Sequence, residues 1–298
     1  MKNSDTFSGY HPLINFLYFT LVLVFSMFFM HPACLIISFV CAFIYSIYLN
    51  GKKAVKFGLM FMLPTLIVTA LLNPAFNHAG GTILTYLPSG NPLTLESIAY
   101  GIAAALMMIT VISWFGCFNK VITSDKFVYL FGRIIPALSL ILSMALRFVP
   151  RFKAQIKVIS NAQKCIGRDV SNGSILRRAR QGLRILSVMM TWALENAIET
   201  ADSMKGRGYG IHGRTAFSVF RFDKRDRTAL IYLLVCGAYI VIGSAADGLY
   251  YRYFPTIKGV VIAPYSVSLF AVYAALCIMP VILNVREDLK WKAVKSKI

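Results

Sequence analysis

Residues 12–50 read PLINFLYFTLVLVFSMFFMHPACLIISFVCAFIYSIYLN, with no Asp, Glu, Lys or Arg in the run. A helix that crosses a bilayer needs about 20 mostly apolar residues. Residues 12–30 and 33–50 each approach that length, with a turn predicted at His31-Pro32 between them. Working outward, the pattern recurs at 55–72, 96–117, 228–246 and 260–284. The fold class read from this is an all-α integral membrane protein with about six transmembrane helices. A seventh apolar stretch, 127–147, is ambiguous. Composition agrees: 57% of the 298 residues are hydrophobic and 14% are charged, whereas soluble domains carry about 25% charge. That balance excludes an ordinary soluble enzyme and a disordered chain. No small-residue cleavage site follows an early charged segment, so the first apolar run is expected to stay in the membrane.

The net charge is +19. It would suit basic loops beside a bilayer or a nucleic-acid binder, so its location decides. Lys52, Lys53 and Lys56 follow the second span, and Lys120, Lys126 and Arg133 follow the fourth; the 73–95 loop has no Lys or Arg. Basic loops stay cytoplasmic. A cytoplasmic N-terminus satisfies each loop in turn, and the basic tail with Arg286, Lys290, Lys292, Lys295 and Lys297 then also lies inside. The 127–147 stretch is flanked by two basic segments and is therefore expected not to span. The alternative, a true seventh span, reverses everything on one side of it.

Most of the charge sits in 147–227, where 17 Lys and Arg face six Asp and Glu, a net +11. A solvated basic face against anionic headgroups explains part of this. Within the segment, Phe148, Phe152, Ile156, Ile159 and Ile166 recur at helical spacing. So do Leu183, Leu186, Met190, Leu194, Ala197, Ile198, Ala201 and Met204. Both stretches, 147–166 and 183–204, read as long amphipathic cytoplasmic helices. Pro150 is expected in the first turn of the former. Between them Ser171-Asn172-Gly173-Ser174 predicts a turn, with Ser174 capping a short helix. Three regions follow: transmembrane helices at 1–126, an interfacial and cytoplasmic region at 127–227, and transmembrane helices with the basic tail at 228–298.

Each amphipathic helix runs into a glycine–arginine sequence: Gly167-Arg168, and Gly206-Arg207-Gly208. Glycine after a helix is a common cap and a helix C-terminus favours a cation, so each end has a structural account. Two such ends also suit docking, because an Arg on a rigid helix end pairs bidentately with carboxylates in a groove.

These features resemble the transmembrane T component of energy-coupling-factor (ECF) transporters, the EcfT/CbiQ-like family, over nearly the whole chain. The resemblance rests on Leu146-Arg147-Phe148-Val149-Pro150, Ala162-Gln163-Lys164-Cys165-Ile166-Gly167, and Ala201-Asp202-Ser203-Met204-Lys205-Gly206-Arg207-Gly208-Tyr209. It rests too on Asn77-His78-Ala79-Gly80-Gly81-Thr82 with Pro92-Leu93-Thr94-Leu95-Glu96. It implies a non-catalytic coupling subunit. Two ABC-type ATPases would dock on Gly206, Arg207, Gly208, Gly167 and Arg168. A separate S component, carrying a vitamin or metal ion, would pack in the membrane. The second motif has Gly206 where the family usually has Ala. In the first, aligned on Ala162-Gln163, the usual Arg falls at Ile166, and Arg168 lies two places later.

Resident chemistry is not expected. No P-loop sequence occurs, so ATP is assigned to partner subunits and no cofactor to this chain. Cys34, Cys41, Cys117, Cys165, Cys236 and Cys277 fit no zinc spacing. Glu195, Glu199 and Asp202 share a helix face and read as a solvated stripe. His11, His31, His78 and His212 are isolated in sequence. The small residues Gly101-Ile102-Ala103-Ala104-Ala105 predict a close helix contact within the chain. The competing functions are a membrane enzyme acting on lipid phosphates and a membrane-anchored nucleic-acid binder. The first needs a catalytic carboxylate or His motif, and the second base-reading groups; neither pattern is visible.

Overall fold

All six apolar runs form helices, and their order follows the sequence closely. The computed structural model describes residues 5–86, 92–132, 136–168, 174–209, 211, 220–259 and 263–295. A 3-10 turn at Phe7–Gly9 leads into α1 (Pro12–Phe28), α2 (Pro32–Asn50), α3 (Lys52–Phe57) and α4 (Leu63–Phe76). A small antiparallel pair, β1 (Ile83–Tyr86) and β2 (Pro92–Thr94), precedes α5 (Leu95–Val121). Then come α6 (Ser124–Gly132), α7 (Pro136–Cys165), α8 (Ile175–Gly206) and α9 (Lys224–Ala245). A second pair, β3 (Tyr251–Arg252) and β4 (Lys258–Gly259), precedes α10 (Pro264–Lys295). The predicted turn residues 171–173, the loop residues 88–91, Gly210 and His212 lie outside the described residues.

Among the described residues, five pieces are long and apolar enough to cross a bilayer: α2, the continuous stretch Lys52–Phe76, α5, α9 and α10. The sixth predicted span, α1, has 17 residues, a rise of about 25 Å at 1.5 Å per residue. The 52–76 span survives Pro64 because a π-helical turn, Gly58–Met62, lies directly before it, with the Leu63 N–H reaching the Gly58 carbonyl. Proline removes a donor and crowds the preceding turn. A π-bulge is a recognised way to absorb such a break.

The chain forms two compact units, Met1–Lys126 with Phe220–Ile298, and Phe127–Val219. In the first, α1, α2, α5, α9 and α10 enclose an aromatic core. Trp114, Tyr18, Tyr45, Tyr273, Phe7 and Phe19 are fully buried there. Some polar atoms in this core find partners, as a low-dielectric interior favours, whereas the Tyr273 hydroxyl has no hydrogen-bond partner among the described residues. The Trp114 indole donates to Ser38 Oγ at 3.0 Å, and Tyr18 donates to the Cys277 carbonyl at 2.9 Å. Cys34, Cys41, Cys117 and Cys277 pack here as buried free thiols. Gly101 brings α5 against α4 so closely that a Cβ would lie 2.7 Å from the Ala70 carbonyl oxygen. The small-residue run therefore does serve an internal contact.

In the second unit two expectations need correction. The helix predicted from 147 begins at Pro136, so Pro150 sits in the interior of α7 and not in its first turn. α8 is one 32-residue helix, so no short separate helix precedes 183. Ser174 occupies its N-cap with extended backbone, but its side chain makes no capping hydrogen bond. In both cases the apolar spacing continues beyond the window first recognised, and continuous helix satisfies more backbone groups than a break would.

Candidate docking site on the coupling helices

α7 and α8 pack through aromatic and aliphatic side chains. The rings of Phe152 and Trp192 meet edge to face with centroids 5.6 Å apart, and Phe148 stacks beside Phe152. The Arg151 guanidinium lies 5.6 Å from the Trp192 ring centre, a cation–π contact. Ile159 of α7 and Met189 of α8 are buried. Most of the apolar set predicted for α8 does not join this seam. Leu183, Leu186, Met190, Leu194 and Ile198 are 55–66% exposed. They form a continuous stripe at helical spacing, offset from the face that carries Met189 and Trp192.

The two helices end in the same backbone motif. After α8, Gly208 adopts φ 73°. Its N–H bonds the Lys205 carbonyl at 2.9 Å, and the Tyr209 N–H bonds the Met204 carbonyl at 3.0 Å. After α7, Gly167 adopts φ 75°. Its N–H bonds the Lys164 carbonyl at 3.0 Å, and the Arg168 N–H bonds the Gln163 carbonyl at 2.9 Å. Both are Schellman caps with glycine in the left-handed region. The shared motif gives a register: Gly208 corresponds to Gly167, Arg207 to Ile166, and Tyr209 to Arg168. Arg207 therefore occupies the last position before the left-handed glycine, next to the negative end of the helix dipole. Ile166, 60% exposed, occupies that position on α7. Arg168 is exposed but two residues further on. The α7 end is not shifted to bring Arg168 into the place of Arg207.

Basic side chains crowd the other end of α8, where Arg177, Arg178, Arg180 and Arg184 are all exposed. Glu195, Glu199 and Asp202 are exposed on α8. Among the described residues no group of three His, Cys, Asp or Glu could hold a metal ion.

A family model described as CbiQ, cobalt transport protein, matches residues 9–217, more than two thirds of the chain. The chain belongs to the CbiQ family. Related proteins carry the name energy-coupling factor transporter transmembrane protein EcfT. The one from Lactobacillus helveticus is 34% identical over 109 residues, which cover 36% of this chain and 39% of that one. The chain thus matches about two fifths of the length of that relative. The Bacillus selenitireducens protein is 28% identical over 197 residues, covering 62% and 72%. The Staphylococcus aureus protein is 23% identical over 262 residues, covering 78% and 95%. This CbiQ-family chain is an all-α, multi-pass membrane protein of the ECF transporter T-component class.

Of the five residues assigned to docking from the sequence, the structure brings Gly206, Arg207 and Gly208 together at one helix end, and Gly167 with Arg168 at the other. The correspondence of Ile166 with Arg207 was half legible, since family alignment placed the usual Arg at Ile166. The glycine phase that fixes it needed backbone angles. The exposure of the α8 stripe had no sequence signal, because periodicity shows that a face is apolar but not whether this chain covers it.

Proposed function

We propose that this chain is the non-catalytic transmembrane coupling subunit of an ECF-type importer. The observation that carries this is the second helix end. An exposed Arg207 is held by a Schellman cap at the terminus of a 32-residue amphipathic helix, in a chain whose family is that of T components. A guanidinium at a rigid terminus loses little freedom on docking, so bidentate pairing with a carboxylate-lined groove is favoured. Two ABC-type ATPases bind the α7 and α8 ends, with Arg207 as the principal anchor. Gly167 and Arg168 form the weaker end, because Ile166 stands where Arg207 stands on α8.

An S component carrying a vitamin or metal ion packs on apolar surface that this chain leaves open, including the Leu183–Ile198 stripe. ATP is bound by the partner ATPases. Their closing and opening moves α7 and α8, and the motion passes to the S component, which releases its cargo inside. Such coupling requires each partner to contact the two states differently. The N- and C-termini are placed in the cytoplasm of a cell-membrane protein, on the distribution of Lys and Arg among the loops. The starts of α1 and α9 and the ends of α2, α5 and α10 lie on that side. Co-expression with candidate ATPases and S components, followed by ATP-dependent uptake in proteoliposomes, tests this reading. Uptake that needs all subunits supports it; a chain that neither binds ATPases nor supports uptake overturns it.

A further inference from the structure

The segment Asp5–His11 lies where the first unit hands the chain to the second. Lys126 is the last residue before the chain enters the Phe127–Val219 unit, and Phe220 the first after it returns. Both junctions are fastened to the same seven residues. At the outgoing junction, Lys126 is 6% exposed. Its Nζ donates to the Ser8 carbonyl at 2.5 Å, to Ser8 Oγ at 3.1 Å and to the Val121 carbonyl at 2.9 Å. Asn15, with its amide oriented to satisfy both neighbours, accepts from Lys126 Nζ at 3.0 Å and donates to the Phe7 carbonyl at 2.9 Å. At the returning junction, the His11 N–H donates to Asp226 Oδ1 at 3.2 Å and the Asp223 N–H to Asp226 Oδ2 at 2.9 Å. Arg225 donates to the Gly9 carbonyl at 2.9 Å and lies over the Tyr10 ring at 5.0 Å. The ring of Phe222 meets that of His11 at 5.3 Å.

The segment is itself anchored to the bundle. Phe7 is fully buried against Tyr18 and Phe19. Asn284 of α10 accepts from the Thr6 N–H at 2.7 Å and donates to Asp5 Oδ1 at 2.6 Å, and Tyr45 of α2 donates to Asp5 Oδ2 at 3.2 Å.

We propose that Asp5–His11 is a bolt that clamps both chain junctions to the transmembrane bundle, making Lys126, Arg225 and Asp226 positioning residues for energy coupling. The proposal rests on the coupling function argued above. The covalent chain passes between the two units at residues 126–127 and 219–220, so any part of a force on α7 and α8 that travels along the chain reaches the bundle there. If the junctions moved independently of the bundle, part of that motion would be lost in local slack. Fastening both to one segment that is anchored by the buried Phe7 transmits it. Burial pushes the Lys126 ammonium pKa down to about 8 against the attraction of Asp5, so the charge is held there at a cost that an apolar side chain would avoid.

The test uses the assembled complex in proteoliposomes and reads substrate imported per ATP hydrolysed. A residue that matters only for folding lowers the amount of complex without changing this ratio. Lys126→Met and Arg225→Ala are compared with wild type, and Lys126→Arg serves as the conservative rescue. The expected result is a normal hydrolysis rate per complex with a ratio reduced about tenfold in Lys126→Met, and about threefold in Arg225→Ala, whose residue is exposed. Lys126→Arg is expected to recover most of the ratio. If Lys126→Met does not assemble, Arg225→Ala decides, and a wild-type ratio in it overturns the proposal. Wild-type ratios in both variants overturn it as well. A wild-type complex that shows no ATP-driven import would instead refute the coupling function itself, which separates the two failures.

Discussion

Replacing Asp226 by Ala should open both ends of the connection it makes. The side chain is 1% exposed, three residues into the start of α9. Its two oxygens accept from the His11 and Asp223 N–H groups at 3.2 and 2.9 Å. A hydrogen bond to a charged acceptor contributes about 1.5–3 kcal/mol, and the longer His11 bond belongs at the low end. A negative charge in the first helical turn adds about 0.3–1 kcal/mol. Together these come to about 3–5 kcal/mol of local stability. At 1.4 kcal/mol per factor of ten, the lower figure alone is roughly a 100-fold increase in local opening. Hydrogen–deuterium exchange with mass spectrometry reads this directly in detergent micelles. Peptides covering 5–13 and 220–228 should exchange about 100-fold faster in Asp226→Ala, while peptides from the middle of α10 should not change. Asp226→Asn, which keeps one acceptor oxygen, should fall between. Exchange within twofold of wild type at both segments would refute the reasoning.

Arg207→Glu should weaken ATPase association by about tenfold or more while leaving membrane insertion intact, since it reverses charge at an exposed helix end; co-purification measures both. Arg168→Glu should cost less, because Arg168 stands two residues beyond the place that Arg207 fills; an equal loss would mean that it serves the first groove despite its position. Gly101→Ala should lower thermal stability by about 1–3 kcal/mol, because the overlap with the Ala70 carbonyl outweighs the gain in helix propensity; an unchanged melting curve would count against the α4–α5 contact. For Lys126 the folded pKa, about 8, lies below the ordinary value near 10.5. The unfolded chain therefore binds more protons between those pH values, and stability rises with pH across that window. Wild type should gain stability relative to Lys126→Met, by up to about 3 kcal/mol, between pH 8 and 10.5. Parallel pH profiles would refute it.

The spans were legible because a bilayer imposes a length and a hydropathy that any sequence must show. Residues 12–50 already held two of them. The helix starts were less legible. Nothing in Pro136–Leu146 separates an interfacial helix from a span, so the periodic window beginning at Arg147 set too late a start for α7. The α8 expectation failed for a different reason: Ser174 and the turn residues before it suggested a break before residue 183, but helix propagation through Ile175–Gly182 removed it. At the candidate docking site, residue types were readable and phase was not. Gly167 and Gly208 look alike in sequence, and only their positive φ aligns Ile166 with Arg207. The bolt at Asp5–His11 gave no local signal, since its partners are spread along the chain, 40 positions away at Tyr45, 118 at Lys126 and more than 200 at Asp226 and Asn284.

The most direct test of the central claim is a membrane pull-down of tagged wild type and Arg207→Glu, with mass spectrometry of the co-eluting proteins. The account predicts two ABC ATPases and a small hydrophobic protein with wild type, and loss of the ATPases with the variant. Wild-type protein that elutes with no ATPase would contradict it.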